Sequence, residues 1–459
     1  MDIKVIIAIV YIAIMITVGI INSKKIKTYS DFTIASRNIP FWRNIHSISA
    51  SMIGAGATMG IAGLCYSFGV SGNWIGIGSG MGLFAAGMIF AEKLWKSEAV
   101  TFPEIINKRF GTVVGNTSSA LVVFAQIAIT ASQMLALGIV TQRLINVPFI
   151  WALIIAVGVI VVYTVLGGLF STAMTDSVNM IIMVVSIMII LPFVEIIKSG
   201  GFGNIQLPQG HTDVFNMGFL PILGLVLWIF CASLMDQGTF LRMFGARSAK
   251  EAKRAAVVAA WGVYIPYLLS VMVIGLLAAV LLPGIEQSDA VIPLVITKLL
   301  GSFIGGIVLA GLLGAVLSTA GSMIIVTSNN ITNDIIKRIK PDLANKTLVK
   351  IARINVVVVG IIAAVFALYA NNIIQLMQDL SSPYISALFP VLIAALYSKS
   401  ATSKAALATI IVGAGSAIIW WAVGQPFGIH HIIPSLVLAS ITMIITTIFT
   451  KGKISQTTI

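Results

Sequence analysis

The sequence predicts an all-α integral membrane protein with about thirteen membrane-spanning helices, and three observations carry that prediction. First, 58% of the 459 residues are hydrophobic and only 9% are charged, where a soluble domain carries about 25%. So little polar surface cannot enclose so apolar a core in water, which leaves lipid as the solvent. Second, apolar runs of about 20 residues recur along the chain, long enough to cross the hydrocarbon layer as helices that satisfy their own backbone. Third, the basic residues gather in alternate loops. Of the 28 Lys and Arg, all but Lys4, Arg143, Lys198 and Lys298 fall on one side. That placement accounts for the net charge of +13 without nucleic acid as a partner. It sets the N-terminus outside and the C-terminus in the cytoplasm of a plasma membrane, which needs an odd number of spans.

The first run, 3–21, is followed by its basic cluster (Lys24, Lys25, Lys27) rather than preceded by it, so it reads as an uncleaved helix. The second, 43–69, carries Gly54, Gly56, Gly60 and Gly63. Interior glycines cost a helix roughly 1 kcal/mol each. They serve either close packing or a helix broken near the membrane midplane, whose freed carbonyls coordinate a cation. Runs at 72–95, 112–144, 149–169 and 172–198 follow, the last holding Asp176 beside Thr175. An acid there attracts a cation or pairs with a basic loop residue. Run 217–243 ends in Asp236, Gln237 and Arg242, read as lying near the cytoplasmic end of one helix, where an ion pair or gate weighs equally with a ligand role and the residues are not assigned to the solute.

After 254–283 comes 301–330, with the stretch GAVLSTAGS. Ala315, Ser318, Thr319 and Ser322 share one helical face. Their neutral oxygens either hold a hard monovalent cation or bond back to the helix and glue it to neighbours. Runs 350–370, 373–397, 402–423 and 430–450 complete the set, before a short polar tail. The loops are about 20 residues at most, too short to fold alone. Cys65 and Cys231 lie in different runs and read as buried thiols. No histidine spacing suggests a metal cluster, and no nucleophile motif or acid–base pair suggests an enzyme.

TFPEIINKRFG, GGLFSTAMTD, DQGTFLR followed by ARSAKEA, GAVLSTAGS and SSPYISALFP together resemble the sodium:solute symporter family, over about residues 1 to 450. The resemblance implies a LeuT-like five-plus-five inverted repeat with one extra N-terminal and two extra C-terminal helices. It divides the chain into 1–42, a first repeat at 43–200, a second at 215–400, and C-terminal helices at 401–459. It implies sodium as the coupling ion, held by backbone carbonyls of Ala50 and Ile53, by Ala315, and by the hydroxyls of Ser318 and Thr319. Asp176 and Ser322 match a second sodium site or exit route of some members, with Gly321 where that pattern has a serine.

The resemblance does not name the solute. Met52 occupies the neighbourhood of the aspartate of proline-type members, while Gln375 matches a sugar-contacting glutamine. Gly56, Ala57, Met59, Ser79, Gln133, Trp228 and Gln375 are candidate solute contacts, a small apolar pocket suited to an amino acid or small organic acid. The expectation is sodium-coupled symport of that solute into the cell, by alternating access in a single copy. Two alternatives remain, a sodium-independent facilitator of the same fold and a sodium/sugar symporter. A channel would need a continuous polar lining that the few intramembrane charges do not supply.

Overall fold

The computed structural model describes residues 2–23 and 37–450, with the side chains of 166–174 left out. The basic run Lys24–Lys27 and the tail 451–459 lie outside the described residues. Every regular element described is a helix, joined by one isolated bridge between Ile39 and Ala246. Among the described residues, eleven helices are long and apolar enough to cross a membrane. The expectation of about thirteen differs for two reasons. Within Gly56–Lys96 the helices ending at Phe68 and starting at Trp74 are parted only by a short turn at Gly69–Asn73, and Phe149–Val165 is shorter than the others.

In chain order, α1 (Ile3–Ser23) is followed by α2 (Phe41–Met52), a π turn (Gly56–Gly60) and α3 (Ile61–Phe68). Next come α4 (Trp74–Ala85), the short α5 (Phe102–Phe110) and α6 (Thr112–Ile145). α7 (Phe149–Met183) is not one rod. Tyr163 Oη and Thr175 Oγ1 are 2.6 Å apart, whereas twelve residues of straight helix span about 18 Å. The chain doubles back between them, as the separate runs 149–169 and 172–198 require. α8 (Phe219–Leu234), α9 (Gln237–Gly245), α10 (Ala249–Val258) and α11 (Ile265–Leu281) lead to α12 (Val291–Leu299) and α13 (Ser302–Asn329). α14 (Asn345–Leu368), α15 (Ile373–Tyr397), α16 (Ser403–Ala422) and α17 (Ile432–Thr450) close the chain.

α13 is the axis of the bundle. Within its span 83% of the most apolar window is buried, against 28% for the first span and 22% for the last. It packs on α1, α6, α7 and α14, and α2 reaches it as well. Those outer helices keep apolar faces toward lipid, while α13 reads apolar or small all round.

Two helices are discontinuous. The first breaks at Ile53–Gly54, between α2 and the π turn. A side chain at Gly54 would come within 2.8 Å of Gln133 Oε1 and of Thr319, so only glycine permits that approach. The freed N–H of Ala55 donates to Gln133 Oε1 at 2.8 Å. The second breaks at Met235–Asp236, between α8 and α9. Asp236 is extended there (φ −61°, ψ 117°), and its Oδ1 accepts the Thr239 N–H at 2.6 Å. Aspartate at such a position caps the orphan donors of a new helix.

Candidate functional site: an oxygen cluster and a cavity between two broken helices

The break in the first helix faces the hydroxyls of α13. Ser318 Oγ donates to the carbonyl of Ala50 at 3.0 Å, with the Ala315 carbonyl 3.1 Å away. Thr319 Oγ1 lies 3.3 Å from Ala50 O and 3.2 Å from Ser51 O. Ile53 stands at the break itself. Ala50, Ile53, Ala315 and Ser318 are fully buried and Thr319 is 5% exposed. Four of the five residues matched to a sodium site are thus joined by hydrogen bonds within one small volume. Hydroxyls carry one rotatable hydrogen and two lone pairs, so the same oxygens can turn from donating to a carbonyl to facing a cation.

Asp176 and Ser322 lie on the other side of Ser318, and Arg242 holds both. Its Nη2 is 3.0 Å from Asp176 Oδ2 and 2.8 Å from Ser322 Oγ, its Nε is 2.7 Å from Ser47 Oγ, and its Nη1 donates to Gly238 O at 2.9 Å. Ser47 Oγ also donates to Asp176 Oδ2, at 2.6 Å. Arg242 and Asp176 are both 0% exposed. This corrects two expectations. The partner of Asp176 is not a basic loop residue but an arginine within the bundle. The partner of Arg242 is Asp176 rather than Asp236, whose carboxylate caps the start of the same helix by accepting the Thr239 N–H. Ser47 carried no signal in the sequence, being one serine among many. A charged pair so enclosed holds together only with its remaining hydrogen bonds satisfied, and the two serines and the Gly238 carbonyl do this for the guanidinium.

Between the two breaks lies a cavity of about 90 Å³. Gly56, Ala57, Ser79, Gln133 and Trp228 line it, as expected from the sequence. Met59 and Gln375 do not. Met59 is wholly buried elsewhere, and Gln375 sits in a separate cleft with Asp379 and Trp421 at the start of α15. The resemblance placed Gln375 by motif alone, but it lies a full turn and a half before SSPYISALFP and off the cavity. The structure adds Ser233, Tyr264, Ile374, Met377 and Asp236 to the lining. Ser79 Oγ bonds Ser233 Oγ and Tyr264 Oη, both at 2.8 Å, and Trp228 Nε1 donates to Ser381 Oγ at 3.0 Å. Thr319 and Ser51 border the cavity as well as the oxygen cluster. Oxygen cluster and cavity therefore share a wall.

The sequence model of the sodium:solute symporter family matches residues 32–413. The high-affinity proline transporter PutP of Bacillus subtilis is 27% identical, covering 95% of this chain and 96% of its own. The osmoregulated proline transporter OpuE of the same organism is 26% identical over 98% and 96%. A sodium/proline symporter of Staphylococcus aureus is 25% identical over 96% and 92%. Among solved structures, a Na+-coupled sialic acid symporter in a substrate-bound outward-open state superposes with a TM-score of 0.79 at 19% identity, covering 98% of each chain. Mhp1, a nucleobase-cation-symport-1 family transporter in a closed conformation, gives 0.62 at 12% identity over 93% of this chain and 96% of its own.

Proposed function

The chain belongs to the sodium:solute symporter family, multi-pass membrane carriers that couple a small organic solute to sodium, and we propose that it carries an amino acid inward with one sodium ion per cycle. The observation that carries this reading is the hydroxyl–carbonyl cluster joining the broken α2–α3 helix to α13. Ala50, Ile53, Ala315, Ser318 and Thr319 are the sodium ligands. The carrier is not an enzyme, since its family moves solutes without making or breaking covalent bonds.

Sodium bound there links a wall of the cavity to the bundle axis, so that ion and solute favour the same conformation. Coupling requires each to bind the two states differently. The driving force is about 2.3 kcal/mol per charge per 100 mV, plus about 1.4 kcal/mol for each tenfold sodium gradient. Arg242 supports a single sodium, because its guanidinium already bonds Asp176 and Ser322, the two residues matched to a second site.

The lining supports an amino acid over a hexose, because its walls are mainly apolar and offer few partners for a ring of hydroxyls. The relatives named for proline point to the same class. We place the two repeats at 43–200 and 215–400, flanked by 1–42 and 401–459. The N-terminus lies outside and the C-terminus in the cytoplasm of a plasma membrane. The carrier works as a single copy, with no nucleic acid partner.

The test is uptake of labelled L-proline and other small amino acids into proteoliposomes. An inward Na+ gradient should drive accumulation that an equal K+ gradient does not. Equal uptake in the two salts would move the facilitator reading ahead.

A further inference from the structure

We propose that Asp236 binds the ammonium group of the solute, so that the site accepts a zwitterion and rejects the same carboxylate without an amine. The proposal rests on the amino acid reading above and supplies its chemical determinant. Asp236 is the one carboxylate among the described residues lining the cavity, and no lysine, arginine or histidine borders it. Unlike Asp176, it is only half-buried, and among the described residues it has no ion-pair partner. The guanidinium of Arg242, six residues on, is taken up by Asp176, Ser47, Ser322 and the Gly238 carbonyl.

Capping α9 does not account for the charge. Asparagine or serine caps a helix as well as aspartate does. Four other helix starts in this chain use neutral caps, with Thr101, Ser248, Asn372 and Thr402 each accepting a backbone N–H, while the carboxylate of the exposed Asp2 does so at α1.

A lone carboxylate in an apolar chamber leaves a negative field that a cation relieves and a second anion aggravates. The opposite arrangement holds at the wall shared with the oxygen cluster, where Thr319 and Ser51 border both spaces and sodium supplies positive charge. A zwitterion fits both ends, with its ammonium on Asp236 and its carboxylate toward the sodium side. This orients the solute by charge in a cavity otherwise lined mainly by alkyl groups, serines and amide.

The experiment uses the purified full chain in Na+ and in K+, with L-proline, cyclopentanecarboxylate (proline with CH2 in place of the ring nitrogen), pyrrolidine, and the pair L-alanine and propionate. Binding is read as a rise in melting temperature with solute concentration. Amine-bearing acids should stabilise the protein and their amine-free partners should not. Asp236→Asn keeps the cap, and should need about tenfold to a hundredfold more amino acid for the same shift, the loss of one charged hydrogen-bond partner. The shift that Na+ alone produces should remain.

Cyclopentanecarboxylate or propionate binding as well as its amino acid partner would overturn the proposal. So would unchanged amino acid binding in Asp236→Asn, or no stabilisation by any amine-bearing solute. Failure of the sodium reading is separate. It would show as no Na+-specific shift in the wild type, with the discrimination between amino acid and amine-free acid intact.

Discussion

Replacing Arg242 with methionine removes a guanidinium that makes four hydrogen bonds in a site with no solvent exposure. At 3.0 Å from Asp176, and with an effective dielectric of about 20, the Coulomb attraction of the pair is on the order of 5 kcal/mol. Desolvation of both charges offsets most of this, so the pair as a unit adds little net stability. Breaking it from one side is different, because Asp176 is left as an uncompensated buried carboxylate. The expected cost of Arg242→Met is about 3–5 kcal/mol. The double variant Arg242→Met/Asp176→Leu should recover about 1–3 kcal/mol of that loss. Ser322 keeps its bond to the Ser318 carbonyl at 2.8 Å, and Ser47 is free to bond its own helix. Unfolding of the wild type, both singles and the double in Na+-free detergent solution measures the coupling. A single variant as stable as the wild type, or single-site effects that simply add, would refute the reasoning that the arginine serves chiefly to neutralise Asp176.

Ser318→Ala and Thr319→Ala should each raise the Na+ concentration for half-maximal uptake by about tenfold, while costing only about 1 kcal/mol of stability for a lost buried hydrogen bond; an unchanged sodium dependence in both would remove them from the ligand set. Gly54→Ala should abolish uptake with the fold retained, because the new methyl meets Gln133 Oε1 and Thr319 at 2.8 Å; uptake at the wild-type rate would show that the break tolerates a side chain. Asp289, whose Oδ2 accepts the Ile373 N–H at 2.8 Å, should make stability pH-dependent. Burial pushes its carboxyl up from 3.8 to about 6 against the pull of that N–H. The native state then holds the proton more tightly than the unfolded chain, so its contribution is complete below about pH 4 and lost as pH rises through about 6. Asp289→Asn should flatten the stability change between those values by up to about 3 kcal/mol, and identical pH profiles would refute it.

Much of the architecture was legible because hydropathy is a local property. Each apolar run points to a helix, and of the two readings that the glycines of 43–69 left open, packing or a break, the structure has a break at Ile53–Gly54. The second break was not legible. Asp236 follows the apolar residues Leu234 and Met235 without glycine or proline, so 217–243 reads as one helix and Asp236 as its end. Only the backbone at Met235–Asp236 moves it to the cavity wall. The Asp176–Arg242 pair was hidden for another reason. The two residues lie 66 positions apart, and no spacing rule connects them. Motif matching placed Ser79, Gln133 and Trp228 on the cavity but failed at Gln375, where a likeness of residue type carried no information about which way the start of α15 faces.

The bonds from Ser318 and Thr319 to the Ala50 and Ser51 carbonyls bear on the return leg of the cycle. A carrier must come back unloaded, and a site built from carboxylates would come back with charges facing each other and no counter-ion. Here the hydroxyls of Ser318 and Thr319 bond the Ala50 and Ser51 carbonyls at 3.0–3.3 Å. On the proposed assignment, a site of neutral hydroxyls and carbonyls contributes no charge of its own to the returning carrier, so the ion site itself adds no electrical work to the reset.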